Sequence, residues 1–234
     1  MRTKPDITNG RQRAAHYPYL LRLAYRISSV AIFGHNADMT SDLAAIVPTA
    51  ARLVVEEGLE YAAAKRRALK ELGLPARTPL PDNGQLEAAV REHIALFCAD
   101  TQPRELAALR ELALLWMQRL HAFEPLIGGA VWNGTATRLN DVYLHLFADD
   151  AKAVEIVLMD QHVDYAVSRT QGLHGHDVDA LSIHAWCEGL QEHVGVHLLV
   201  NAHLAQRGSL LVDARGRPLR GTAERLQALL RDSA

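Results

Sequence analysis

The chain has 234 residues, enough for one or two domains with a sizeable buried core. Its 49% apolar and 22% charged composition excludes a wholly disordered chain. The net charge of −2 gives no bulk electrostatic case for nucleic acid or an anionic membrane surface. Two cysteines, Cys98 and Cys187, are too few for a disulfide scaffold, and their apolar settings read as buried thiols in a reducing cytoplasm.

The segment before Met39 differs from the rest. Residues 1–38 carry six basic residues against Asp6 and Asp38, a net +4 that leaves −6 for residues 39–234. The apolar run from Tyr17 to Phe33 is broken by Arg22 and Arg26. Each charge costs about 2.5–3.5 kcal/mol at a bilayer centre, so a membrane span is not expected, and no secretory signal is evident. The expected location is the cytoplasm. Two readings compete for residues 1–38: a basic extension that binds a partner, or a translation start placed upstream of a natural start at Met39. The second is the expectation, with the segment poorly ordered.

From Met39 to Phe123 the pattern is helical, and these residues are expected to form a helical domain. Leu43, Ile46, Val47, Leu53 and Val54 make a first stripe ending at Gly58, with Pro48 tolerable in a first turn. Leu59–Leu72 makes a second helix, stopped by Gly73 and Pro75. Ala76–Gly84 reads as loop. Leu86, Val90, Ile94 and Phe97 share one face of a third helix. Leu106, Leu109, Ala113, Trp116 and Leu120 repeat that spacing in a fourth, which Pro103 and Glu105 open. The basic run Ala64–Lys70 is flanked by Glu56, Glu57, Glu60 and Glu71, and reads as a solvated helix face.

After Pro125 the period changes from 3.6 to 2. Val142, Leu144 and Leu146 alternate with Tyr143, His145 and Phe147 as a strand. Asp149–Met159 is helical, Val163–Val167, Ala180–Trp186 and Val194–Val200 read as strands, and Thr222–Leu230 closes with a helix. The expected class is α+β, with a helical N-terminal module followed, over residues 124–234, by a small mixed sheet flanked by helices.

The most informative stretch is Leu126–Phe147. Gly128-Gly129 follows two apolar residues, and Asp141 heads the strand after a spacer of eleven residues that contains Gly134, Thr135 and Ala136. This resembles the signature of the DNA polymerase β-like nucleotidyltransferase superfamily, in which Gly-Gly or Gly-Ser precedes Asp-x-Asp at the head of a strand. The resemblance implies that type of sheet and transfer of a nucleoside monophosphate from a nucleoside triphosphate to an unidentified acceptor. It implies Gly128 and Gly129 as a phosphate cradle, Asp141 as catalytic carboxylate and Mg²⁺ ligand, and Tyr143 as a nucleotide contact. The physical sense is clear. Glycine lets backbone N–H groups approach phosphate, and carboxylates at i and i+2 of a strand face the same way to hold a cation. The chain departs from the signature at residue 143, where Tyr143 replaces the second acid, and no third acid stands in a matching strand. Tyrosine is neutral at pH 7 and a poor Mg²⁺ ligand. A catalytically degenerate nucleotide-binding or protein-interaction module on the same scaffold is therefore the alternative.

Histidines supply a second alternative. Eight of the twelve lie between residues 145 and 203. His145, His184 and His197 are in phase to leave the core face of their strands, and with Asp141 they would suit Zn²⁺. Solvent-exposed histidines on a half-wet sheet are the competing reading. Trp132 could stack on a base or cover the sheet edge. No GxxxxGK[ST], GxGxxG, GxSxG or HExxH motif is present.

Overall fold

A computed structural model describes residues 35–213 and 216–232. The reading of residues 1–38 therefore falls, up to residue 34, outside the described residues. Among those described are seven α-helices and a five-stranded mixed sheet, an α+β architecture. Helices α1 (His35–Glu57), α2 (Tyr61–Glu71), α3 (Asn83–Phe97) and α4 (Gln102–Arg119) come first. Then follow β1 (Leu126–Gly128), α5 (Gly129–Asn133), β2 (Val142–Phe147), α6 (Ala151–Asp160), β3 (Ala166–Gln171), β4 (Asp177–Cys187), β5 (Glu192–Asn201) and α7 (Ala223–Asp232). No helix among the described residues is long and apolar enough to cross a membrane.

Local chemistry accounts for the element ends. Gly58 adopts φ +68° just past α1, and Gly73 φ +67° just past α2, where a Cβ would be strained. Asp82 caps α3 in a reciprocal box: its carboxylate accepts from the Gln85 N–H, and the Gln85 side chain accepts from the Asp82 N–H. That box starts α3 inside the stretch expected to be loop. Asp150 caps α6 by accepting from the Lys152 N–H.

Four sequence expectations need adjustment. Pro48 is not in a first turn but in the interior of α1, where it withholds a backbone donor. Phe97 is 71% exposed, because the buried stripe of α3 follows Leu86, Val90 and Ile94 at steps of four and continues to Cys98. Lys65 is 7% exposed rather than solvated, and donates to Asn83 Oδ1 at 2.7 Å. The strand expected at Val163–Val167 starts later, at Ala166. Residues up to Val163 close the α6 C-terminus instead, with His162 at φ +55° and the Val163 N–H donating to the Leu158 carbonyl.

The sheet order is β1-β2-β5-β4-β3. Strand β5 runs parallel to β2, and every other pairing is antiparallel. One sheet face is buried. Val142, Leu144, Leu146, Leu181, Ile183, Val196 and Leu198 pack there with Leu109, Trp116 and Met117 of α4, Val131 of α5, Val154 and Leu158 of α6, and Leu226 of α7. Helices α1–α3 bury a separate cluster built on Ile46, Leu53, Leu86 and Val90. Thus α4 contributes to the core of the sheet rather than to that of the preceding helices. The opposite sheet face carries Tyr143, His145, Ser182, His184 and His197, and is closed at one end by Leu126, Phe147 and Leu173. Cys187 is buried and Cys98 half-buried, and burial pushes both thiols up.

Candidate functional site on the open sheet face

The turn before β2 sets Asp141. Asn140 closes it, its side chain accepting from the Thr137 N–H at 2.8 Å and its own N–H donating to the Thr137 carbonyl. Asp141 then lies at the head of β2, beside β5. Its Oδ1 accepts from the Gly195 N–H at 3.0 Å, and its Oδ2 accepts from His197 Nε2 at 3.1 Å. On the far side of the same ring, Ser182 Oγ is 2.9 Å from His197 Nδ1. Register explains the assembly: His197 pairs with Tyr143 on one side and Ser182 on the other, so the three side chains form one row across the sheet. The Tyr143 ring stacks on His197 with centroids 4.8 Å apart and planes at 29°. Its hydroxyl donates weakly to Glu60 of the loop before α2, at 3.5 Å.

Protonation follows from these neighbours. The His197 hydrogen bond holds the Asp141 carboxyl below the usual range, aided by the Gly195 N–H and opposed by burial. Burial and the negative charges of Glu60 and Asp141 push Tyr143 up to about 12, so it stays neutral. A carboxylate only accepts, so in its neutral form the His197 ring carries its proton on Nε2 and leaves Nδ1 to accept the Ser182 hydroxyl.

The Gly128-Gly129 turn lies at the same end of the sheet, one strand away. Gly128 pairs with Tyr143, and Gly129 takes φ +69° as the chain enters α5. A Cβ on Gly128 would sit 3.6 Å from both Arg220 Cγ and His145 Nε2. Arg220 and His145 therefore flank the turn. Burial, with Arg220 adding to it, pushes His145 down to about 4, and its Nδ1 is buried without a hydrogen-bond partner.

Of the residues singled out in the sequence, Asp141, Tyr143 and His197 come into direct contact. His184 is exposed on the row of Gly195, within electrostatic reach of Asp141. His145 lies apart, beside Gly128. No three His, Cys, Asp or Glu side chains among the described residues converge as a metal set. For Mg²⁺ the adjoining donors are the Asp141 carboxylate with both oxygens already accepting, an imidazole and a neutral phenol, while Glu60 meets the group only through the Tyr143 hydroxyl. That set does not fit a cation that favours several hard oxygens. Ser182, Gly195, Glu60 and Arg220 belong to the site but carried no motif. Their only signal is strand phase for Ser182, and none exists for a glycine that admits a carboxylate or for an arginine 92 residues from its glycine turn.

Trp132 does not face this site: its indole N–H donates to the Pro218 carbonyl at 2.7 Å, and its ring packs on Gly221. A cavity of 880 Å³ opens elsewhere, between α3, α5 and α7. Its Arg217 is committed to Glu87 and Asp213, so this guanidinium is already neutralised. No protein-family model matches the chain, and no curated protein matches it in sequence.

Proposed function

We propose that the chain binds a nucleoside triphosphate on the open face of its sheet, in a nucleotidyltransferase-like arrangement that keeps Asp141 and lacks the second and third metal-binding carboxylates. One observation carries this reading. The Gly128-Gly129 turn and Asp141 lie at the same end of adjacent antiparallel strands, and β5 runs parallel to β2 and brings His197 against Asp141. A nucleotidyltransferase-like sheet would offer phosphates that turn and place a third acid on a neighbouring strand. Here an imidazole stands in that place.

The terminal phosphate would lie on the exposed backbone of Gly129, next to the buried Gly128, where no Cβ intervenes, with the Arg220 guanidinium supplying positive charge. Tyr143, neutral and stacked on His197, gives the middle of the face an aromatic floor.

Thermal unfolding with ATP, GTP, CTP or UTP tests the reading. At a hundredfold excess over Kd a ligand adds about 2.7 kcal/mol of stability, so a Tm rise of several degrees is expected with at least one nucleotide. The rise should persist in EDTA and shrink in Arg220→Ala. No rise with any of the four nucleotides overturns the reading.

A further inference from the structure

We propose that Ser182 is the acceptor: it is a nucleophile, His197 is its base, Asp141 is the positioning residue, and the group transferred to Ser182 is the nucleoside monophosphate of the bound triphosphate. This rests on the nucleotide-binding reading and supplies the acceptor that reading lacks.

Three strands carry the geometry. Ser182 comes from β4, His197 from β5 and Asp141 from the head of β2, linked through the two ring nitrogens at 2.9 and 3.1 Å. A serine hydroxyl is a weak nucleophile until a neighbouring base takes its proton. The base must have its free nitrogen on the serine side, and a carboxylate on the other nitrogen secures that tautomer. Asp141 is itself held by the Gly195 N–H at 3.0 Å, so the relay is anchored to backbone at its far end. The exposed Asp141 and half-buried His197, with side-chain exposures of 45% and 25%, leave the row open to a ligand from solvent.

The placement suits a triphosphate. Gly128 pairs with Tyr143, Tyr143 with His197, and His197 with Ser182, so Ser182 stands three strands from Gly128, about 14 Å at ordinary strand spacing. A triphosphate that touches the turn with its terminal phosphate alone, at the exposed Gly129, extends over Tyr143 and brings its α-phosphorus toward His197 and the Ser182 hydroxyl that leans on it.

The step balances without a further reactant. The Ser182 proton passes to His197 Nδ1 as Oγ bonds to the α-phosphorus. The bond from that phosphorus to the oxygen bridging to the β-phosphate breaks, and pyrophosphate leaves with its electron pair. Ser182 ends as a phosphodiester of the nucleoside monophosphate, and the imidazolium beside Asp141 returns its proton to solvent. Where a carboxylate-bound metal would activate the attacking hydroxyl, a base already hydrogen-bonded to it does so.

The experiment uses the full chain with each of the four nucleotides labelled at the α-phosphate. Intact mass and peptide mapping follow the adduct, and thermal shift follows nucleotide binding in parallel. One nucleoside monophosphate should appear per chain, on Ser182. Ser182→Ala should lose it, with the Tm measured without nucleotide retained to show that the variant folds. His197→Gln should slow labelling about 10²–10⁴-fold, the usual contribution of a positioned base. Asp141→Asn should slow it less, and should shift the His197 ring ¹⁵N resonances away from the Nε2–H tautomer, a change that loss of packing alone does not produce. A nucleotide-dependent Tm rise without an adduct on Ser182, or with the adduct elsewhere, overturns this inference and leaves nucleotide binding standing. No Tm rise and no adduct overturns both.

Discussion

The carboxylate of Asp141 occupies the space that a side chain on Gly195 would need: a Cβ built there would lie 2.6 Å from Asp141 Cγ. The glycine is not required by backbone conformation, since its φ is not positive. It is required by the carboxylate. Gly195→Ala should therefore evict Asp141 and break its bonds to the Gly195 N–H and to His197. Overall stability should change by no more than about 1 kcal/mol, because the alanine favours the strand while a largely exposed hydrogen bond is lost. A ¹³C NMR titration in the variant should find the Asp141 carboxyl back near its ordinary value. A carboxyl still held low would show that the contact survives.

His145 makes stability depend on pH. Its folded-state value of about 4 lies below the ordinary histidine value, so the unfolded chain binds the extra proton more readily. The sign follows: the contribution is whole above about pH 6.5 and is lost as pH falls from there toward about 4, by at most about 3 kcal/mol. Asp141, held low, adds a loss of the same direction at lower pH. Its side chain is 45% exposed, so solvent screening keeps that contribution near or below about 1 kcal/mol. Chemical denaturation at pH 7 and pH 5 should give a difference in the wild type that narrows in His145→Phe. An unchanged difference would locate the proton elsewhere.

Pro48 sits on the exposed side of α1 with helix on both sides of it. It provides no N–H for the Ala44 carbonyl, and its ring crowds that group. Pro48→Ala should raise stability by about 1–3 kcal/mol, at or short of the full helix-interior difference because Ala44 and Pro48 are exposed and water can satisfy the Ala44 carbonyl. Calorimetry would read this as a higher Tm, and a lower one would show that the proline matches a bend the core needs.

Gly221 is the converse case. A Cβ there would meet the Trp132 ring at 2.1 Å, while its N–H and C=O pair with Ile127 of β1. The tryptophan cannot swing away without giving up its bond to the Pro218 carbonyl. Gly221→Ala should cost about 1–3 kcal/mol, the usual range for overpacking. Urea denaturation would show it as a lower midpoint, and a neutral result would mean that Trp132 repacks freely.

Tyr143→Phe should be mild. The hydroxyl contact with Glu60 is 3.5 Å, at the edge of hydrogen bonding, whereas the ring stack on His197 is kept by phenylalanine. A loss below about 0.5 kcal/mol is expected in urea denaturation. A loss of 10-fold or more in nucleotide binding would make the phenol itself a ligand contact.

The class of fold was legible in the chain because periodicity survives without knowledge of partners. Alternation in Val142–Phe147 and steps of four in Leu86, Val90 and Ile94 each report one buried face, whatever covers it. The glycine turn and Asp141 were visible for a similar reason, being a local pattern of 14 residues from Gly128 to Asp141. Strand phase even set His197 apart from the core, and the same alternation holds for Ser182. Phase could not reveal that they touch. Ser182, His197 and Asp141 are joined by the order β2-β5-β4 and by a register that pairs 182 with 197, over separations of 15 and 56 residues. Pairing of that kind depends on which strands the helices α4–α7 can cover together, a property of the packed molecule and not of any one segment. The same holds for α4, whose apolar stripe predicts a helix and a buried side but not that its partner is the sheet. It holds too for Gly195, where the residue type matters only because a carboxylate from another strand needs the room.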